Sequence, residues 1–240
     1  MIGSPRYEQR RGQIAHYFDR TAMQAWEHLT STAPVGRIRA TVRAGRDTMR
    51  QTLLDWLPAD LHGLRILDAG CGTGAFAMAA ARRGADVVAI DLSPSLVEVA
   101  VRRVAQHLDT FDSGGHIDFR SGDMTSPELG SFDVVVAMDS LIHYSADDAV
   151  RVLHSWSRRT RQSMLFTFAP SSPMLRAMHT VGRLFPRGDR APAIEPVGEA
   201  QLRRLLAGTV GLDTWTPRRT QRIVNGFYTS QAFELSRTAG

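Results

Sequence analysis

The sequence predicts an α/β protein with a doubly wound, mostly parallel sheet. An apolar segment ends at Asp68 and is followed by glycines at positions 70, 72 and 74 and then by an alanine-rich stretch. Alternate glycines let the backbone turn sharply and approach a ligand, and a helix N-terminus behind them suits an anionic group. Residues 59–170 then alternate short apolar segments with amphipathic ones, the pattern of right-handed crossovers in a parallel sheet.

Seven strands and four helices are expected after residue 58. Ser93-Pro94 supplies an N-cap followed by proline at the first helical position. The expected strands lie near residues 64–68, 86–91, 116–120, 132–137, 163–168, 212–216 and 227–235, and the last of them is expected to be antiparallel. The expected helices lie near residues 75–83, 94–107, 146–159 and 198–207.

Residues 1–58 are expected to form a helical cap that precedes the domain at 59–240. The cap should contain helices near 6–18, 23–29 and 37–57, the last ending at Pro58. Within 37–57, apolar residues recur at helical spacing with arginines between them, which predicts a helix packed on the core with a solvated arginine face. Five prolines punctuate residues 170–198, and we expect a substrate-binding insertion there, with an apolar helix near 174–185.

Composition narrows the classes of function. The net charge is +5, and all 29 basic residues are arginine, but they form no dense patch with aromatic residues, so no nucleic-acid partner is predicted. Cys71 is the only cysteine, and no secretion signal or membrane-spanning apolar run is apparent, so we expect a cytoplasmic protein. A basic amphipathic helix is also compatible with peripheral contact with an anionic membrane.

The glycine loop is compatible with two cofactors. Gly70, Gly72 and Ala75 satisfy the dinucleotide pattern, and Asp91 follows roughly 20 positions after Gly70, as NAD binding requires. The loop also resembles the first motif of class I methyltransferases that use S-adenosylmethionine (SAM). In that motif an acidic residue stands two places before the first glycine, as Asp68 does here, where it suits the ammonium of the methionine moiety.

Later segments favour SAM. Asp91 ends a buried strand, where a carboxylate accepts hydrogen bonds from ribose hydroxyls, and Asp123 resembles the acid that meets the adenine amino group. Together these motifs predict a fold of the Rossmann-like class I methyltransferase type, with a mostly parallel seven-stranded sheet and an N-terminal helical cap. The predicted cofactor-binding residues are Asp68, Gly70, Gly72, Gly74, Asp91, Leu92, Asp123, Met124 and Asp139.

Several further segments resemble one family, the magnesium-protoporphyrin IX methyltransferases of chlorophyll and bacteriochlorophyll synthesis. The resemblance covers nearly the whole chain from about residue 14. It departs from the family at residues 20–36. The segments that carry it are 17–19, 37–45, 68–74, 139–144, 167–173, 184–192 and 226–231.

The resemblance implies SAM-dependent methylation of one propionate of magnesium-protoporphyrin IX beneath a mobile N-terminal cap. It implies Tyr17 and His143 as the functionally important pair, and the porphyrin-binding subunit of magnesium chelatase as a partner. His143 and Tyr144 follow the fourth strand, where methyltransferases place residues near the methyl group. Arg187 and Arg190 are candidates for pairing with the propionates of this dianionic substrate.

The chemistry needs neither a general base nor a metal held by the protein. A propionate has a pKa of about 4.3 and is already ionised at neutral pH. We therefore expect Tyr17 and His143 to orient the substrate, with His143 at its carboxylate or its magnesium. No residues have metal-ligand spacing. The alternatives are another apolar acid or quinone as substrate, a tetrapyrrole-carrying partner of the chelatase, and an RNA methyltransferase.

Overall fold

A computed structural model describes residues 5–20, 37–106, 114–171 and 193–238. The helices in these ranges are α1 (Pro5–Arg20), α2 (Arg37–Asp55), α3 (Ala75–Ala81), α4 (Pro94–Ala105), α5 (Ala146–Ser157) and α6 (Glu199–Ala207). The strands are β1 (Arg65–Ala69), β2 (Asp86–Asp91), β3 (His116–Ser121), β4 (Phe132–Ala137), β5 (Thr160–Phe168), β6 (Trp215–Asn225) and β7 (Tyr228–Arg237).

The strands form one seven-stranded sheet in the order β3-β2-β1-β4-β5-β7-β6. The first five pair in parallel, whereas β7 is antiparallel to both β5 and β6. This confirms the predicted fold class and the antiparallel last strand. Because β7 runs against β5, with Gln231 opposite Phe168, the beginning of β7 lies at the edge where the parallel strands end.

Helices cover both faces of the sheet. On one face, α1, α5 and α6 pack on β4 and β5 through residues such as Trp156 and Phe166. On the other face, α2 packs on β6 and β7 and α3 packs on β2 and β3, with Met49 and Leu53 of α2 fully buried. Strands covered on both faces are expected to be apolar throughout, which explains why β1, β2 and β4 were easily located in the sequence.

The predicted helices and strands differ from the observed ones mainly near the C-terminus. The sixth strand was expected near 212–216 but extends from Trp215 to Asn225, because a polar edge strand lacks the apolar pattern on which the prediction rested. The expected helices near 23–29 and 174–185, and the candidates Arg187 and Arg190, lie outside the described residues. Within the described ranges, no helix is long and apolar enough to cross a membrane.

Candidate active site

An apolar cavity lies at the edge where the parallel strands end. This edge is where open α/β sheets bind their ligands. The glycine loop, the end of β2 and the segment after β4 form the cavity, and α1 contributes Ile14 and Phe18. The residues predicted from sequence that line it are Gly70, Gly72, Asp91, Leu92, Met124, Asp139, His143 and Tyr144.

Asp91 holds the glycine loop in place. Its carboxylate accepts hydrogen bonds from the backbone N–H of Gly72 at 2.9 Å and of Ser93 at 3.0 Å. Burial raises the pKa of the Asp91 carboxyl, and the backbone hydrogen bonds oppose that shift. Gly70 has φ +83°, and a Cβ at this position would lie 2.4 Å from the Cβ of Ser140. Glycine is therefore required for both the turn and the close approach of the two loops.

A second, polar cavity adjoins the first and shares Gly70, Arg46 and Met138 with it. Asp68 and the α2 residues Arg43, Arg46 and Arg50 line it. Arg46 therefore departs from the solvated arginine face expected of α2. The Arg46 side chain is only 17% exposed, because the helix turns this face towards the glycine loop.

Asp68 is the most strongly perturbed acid in this polar cavity. The residue is 1% exposed, and its Oδ2 has no hydrogen-bond partner among the residues that the structure describes. Burial raises the pKa of the carboxyl to about 7, against a hydrogen bond from the Ala77 backbone that lowers it. A buried carboxylate oxygen without a partner is costly unless a ligand supplies one. A cationic group such as an ammonium suits this position.

Asp139 links three distant parts of the chain beneath the cavity. It has φ 55°, and its backbone N–H donates to Thr167 Oγ1 at 2.7 Å. Its carboxylate accepts hydrogen bonds from Tyr228 and Ser230, each at 3.1 Å, and pairs with Arg46 at 3.2 Å. The Asp139 carboxylate is thus engaged by protein groups, and its predicted contact with the cofactor stays a prediction.

Burial, and next the neighbouring Asp139 carboxylate, raise the pKa of Tyr228. The phenol therefore stays protonated and donates its hydrogen bond. Gly45 of α2 makes this arrangement possible, because a Cβ there would lie 2.5 Å from the Tyr228 ring. No local pattern indicates this contact, since Gly45, Asp139 and Tyr228 are far apart along the chain.

His143 and Tyr144 lie together after β4, as predicted. His143 is buried, its Nδ1 lies 3.4 Å from the carbonyl oxygen of Ala193, and its ring meets Phe18 edge-on at 6.0 Å. A carbonyl can only accept, so a hydrogen bond at this contact requires a proton on Nδ1. Tyr144 stacks on Tyr7 of α1 with ring centroids 5.0 Å apart. His143 and Tyr144, which line the cavity, therefore both contact aromatic side chains of α1.

Three predicted residues lie elsewhere. Tyr17 packs edge-on against Phe18 at 5.2 Å, and Phe18, not Tyr17, lines the cavity. Asp123 lines a different cavity below α1, where its Oδ1 accepts hydrogen bonds from Thr125 and its Oδ2 pairs with Arg11. Gly74 is the left-handed N-cap of α3 and packs against Phe119. Their predicted ligand contacts remain predictions.

Three polar contacts fix α1 over the site. Arg10 pairs with Glu195, and Arg11 pairs with Asp123. Near the end of the helix, Asp19 accepts a 2.7 Å hydrogen bond from Ser95 Oγ at the start of α4. These contacts hold Ile14 and Phe18 against the cavity. The sequence predicted a cap here but could not identify its partners, which lie more than 70 positions away.

This fold and site define a class I SAM-dependent methyltransferase. The residues predicted to contact the ammonium, the ribose and the adenine of SAM lie at this edge of the sheet, and their contacts with SAM stay predictions: Asp68, Asp91, Leu92 and Met124. Two family models match the chain: "Methyltransferase domain" over residues 66–163 and "Magnesium-protoporphyrin IX methyltransferase C-terminus" over residues 137–237.

Comparison with whole proteins identifies the family. The chain is 44% identical over 229 residues to the magnesium-protoporphyrin O-methyltransferase of Rhodobacter capsulatus, covering 95% of this chain and 97% of the relative. The chain belongs to the magnesium-protoporphyrin O-methyltransferase family. A crystal structure of the Synechocystis magnesium protoporphyrin IX methyltransferase with bound SAH matches with a TM-score of 0.81 and 26% identity, over 95% of this chain and 100% of that one.

Similarity to quinone-modifying enzymes is narrower. A ubiquinone biosynthesis O-methyltransferase of Xanthomonas oryzae is 35% identical over 147 residues, which cover 56% of this chain and 58% of that relative. The match to the magnesium-protoporphyrin enzyme of Rhodobacter capsulatus covers nearly the whole of both chains, whereas the match to this ubiquinone enzyme covers little more than half of each.

Proposed function

We propose that this protein transfers the methyl group of SAM to a propionate carboxylate of magnesium-protoporphyrin IX, giving the monomethyl ester. The observation that carries the proposal is the match of residues 137–237 to the family model of that enzyme's C-terminal region. This region supplies Asp139, His143 and Tyr144 to the apolar cavity. A flat, apolar macrocycle with an anionic edge needs such a pocket.

The reaction requires the protein to align the substrate carboxylate with the methyl group of SAM and to exclude water. SAM supplies a sulfonium methyl group, and the substrate carboxylate is already ionised at neutral pH. Asp68 holds the ammonium, Asp91 holds the ribose, and the polar cavity with Arg46 receives the methionine carboxylate. Ile14 and Phe18 of α1 keep water from the cavity, which strengthens the electrostatic contacts inside it.

His143 and Tyr17 orient the substrate in this proposal. With the Nδ1 proton donated to Ala193, a neutral His143 ring carries a lone pair on Nε2. That tautomer suits the magnesium of the porphyrin, whereas a hydrogen bond to the carboxylate needs the imidazolium. A comparison of KM for the magnesium porphyrin and for metal-free protoporphyrin in His143→Ala distinguishes the two roles: loss of selectivity for magnesium supports ligation.

Delivery of the porphyrin by a chelatase subunit and peripheral contact with a membrane belong to the same proposal. Val224 and Phe227, at the turn between β6 and β7, are large exposed apolar side chains with the exposed Arg222 nearby. They support contact with an anionic bilayer. In flotation with anionic vesicles, Phe227→Ser should reduce the bound fraction, and equal flotation of wild type and variant would remove this support.

The function is tested by a methyl-transfer assay with SAM and four conditions: magnesium-protoporphyrin IX, metal-free protoporphyrin, a catechol of the quinone type, and no acceptor. We expect one added methyl by mass, with the magnesium porphyrin preferred. His143→Ala should lose most turnover, whereas His116→Ala, on the exposed end of β3, should retain it. Methylation of the catechol alone would replace this proposal with the quinone alternative.

A further inference from the structure

Ser140 lies in the site but is not among the site residues predicted from the sequence. It follows Asp139 after β4 and is the N-cap of the short 3-10 helix Leu141–His143. Residues three apart eclipse one another in a 3-10 turn, which places Ser140 and His143 on the same side. Both residues line the apolar cavity.

The Ser140 hydroxyl is buried and makes no hydrogen bond to any described residue. Serines at helix starts normally accept a hydrogen bond from the backbone. Three others here do so, with Ser93, Ser126 and Ser145 each accepting from a backbone N–H at 3.3 Å. Ser140 makes no such bond at its own turn. A buried hydroxyl without a hydrogen-bond partner destabilises a fold. We therefore expect a bound ligand to supply the partner of the Ser140 hydroxyl.

The surrounding backbone fixes this side chain in place. The left-handed conformation of Asp139, held by Thr167, redirects the chain immediately before Ser140. On the other side, the absence of a side chain at Gly70 leaves room for the Ser140 Cβ. Gly70 begins the loop that faces the cofactor, so Ser140 lies between the cofactor side and the His143 side of the cavity.

We propose that Ser140 Oγ–H donates a hydrogen bond to the substrate carboxylate that accepts the methyl group, so that Ser140 is a catalytic residue of this reaction. The inference rests on the proposed function. One carboxylate oxygen forms the new bond to the methyl carbon as the carbon–sulfur bond breaks, and its electron pair passes to sulfur. The other oxygen accepts the hydrogen bond from Ser140. No proton moves, and a carboxylate and a sulfonium become a neutral ester and a thioether.

The test is Ser140→Ala with three measurements: melting temperature, Kd for SAM, and kinetics with magnesium-protoporphyrin IX. Removing the partnerless hydroxyl should leave the melting temperature unchanged or raise it. The Kd for SAM should change less than about twofold. The kcat/KM for the porphyrin should fall about 10- to 100-fold, the factor that a hydrogen bond to a charged group supplies. Most of the loss should be in KM, because the bond weakens as the carboxylate loses its charge.

Ser145→Ala is the matched control, since Ser145 caps α5 through its hydroxyl. It should lower the melting temperature and leave kcat/KM for the porphyrin unchanged. Wild-type kinetics in Ser140→Ala, a lowered melting temperature in that variant, or a weakened Kd for SAM with normal turnover at saturation would each overturn the role of Ser140. A wild-type enzyme that does not methylate the magnesium porphyrin would instead overturn the proposed function, and this inference with it.

Discussion

At the scale of the residue, the site depends on charged groups held away from water. Asp68 was identified from its place before the first glycine, because that spacing is local. Its raised pKa and the partnerless Oδ2 could not be predicted, since they depend on packing around the end of β1. The position of Arg46 could not be predicted either. In the sequence it is one of several arginines on a helix face, whereas in the fold it lines both cavities.

Asp68 should make SAM binding depend on pH. Burial raises its pKa to about 7, and an ammonium ligand needs the ionised form, so binding should strengthen as pH rises. From about pH 6 to pH 8, the Kd for SAM measured by calorimetry should fall about tenfold, the change in ionised fraction for such a group.

Asp68→Asn is the control for this pH dependence. The variant should bind SAM weakly, with a Kd that no longer follows this titration. A wild-type Kd that is flat across the same range would show that Asp68 is not the group facing the ammonium.

Arg46 should contribute to SAM binding through the polar cavity and through Asp139. Arg46→Gln is expected to raise the Kd for SAM about tenfold, because it removes a charge from a partly buried site. Arg151→Gln removes an arginine from a more exposed ion pair on α5 and should leave the Kd unchanged. Equal affinity in both variants would restrict Arg46 to a structural role.

At the scale of the element, the alternation of apolar and polar segments located most helices and strands within a few residues. It succeeded for β1, β2 and β4, whose buried residues are apolar except for Asp68 in β1. It failed for the length of β6, whose exposed positions are rich in arginine and threonine. Edge strands carry this weaker signal because solvent tolerates any polar side chain there.

The contact between α2 and β7 gives a prediction that helix propensity alone would reverse. Alanine is about 1 kcal/mol more favourable than glycine within a helix. Gly45→Ala should nevertheless lower the melting temperature and the affinity for SAM, because its Cβ would displace Tyr228 from Asp139.

Gly12→Ala in α1 is the matched control, since nothing lies within 4 Å of a Cβ there. That variant should keep or raise the melting temperature. The two melting temperatures are compared by calorimetry, and a Gly45→Ala protein as stable as Gly12→Ala would contradict the close approach of α2 and Tyr228.

At the scale of the whole molecule, the chain is a SAM-binding sheet with a helix fixed across its ligand edge. The sequence indicated a helical cap over 1–58, but the contacts that hold α1 join residues more than 70 positions apart. Such pairings as Arg10 with Glu195 have no local pattern. The substrate insertion at 170–198 remains a prediction, since most of it lies outside the described residues.

The ion pairs of α1 should affect local opening of this helix over the cavity more than they affect the melting temperature of the protein. In Arg10→Gln/Arg11→Gln, hydrogen exchange within residues 5–20 should accelerate, while the melting temperature changes little, because partly exposed pairs contribute modestly to stability.

Arg161→Gln, which removes a mostly exposed arginine from its pair with Asp133, is the control and should leave exchange in α1 unchanged. Exchange in α1 that is identical in the double variant and in wild type would mean that packing of Tyr7, Ile14 and Phe18 alone holds the helix.

The most direct test of the account is the fate of an isotope-labelled methyl group of SAM in a single turnover with magnesium-protoporphyrin IX. The account predicts one labelled methyl on the porphyrin that mild base releases as methanol, as expected of a carboxylate ester. Label that remains on the macrocycle after base treatment, or that stays on SAM while the porphyrin is bound, would contradict methyl transfer to a propionate oxygen in this cavity.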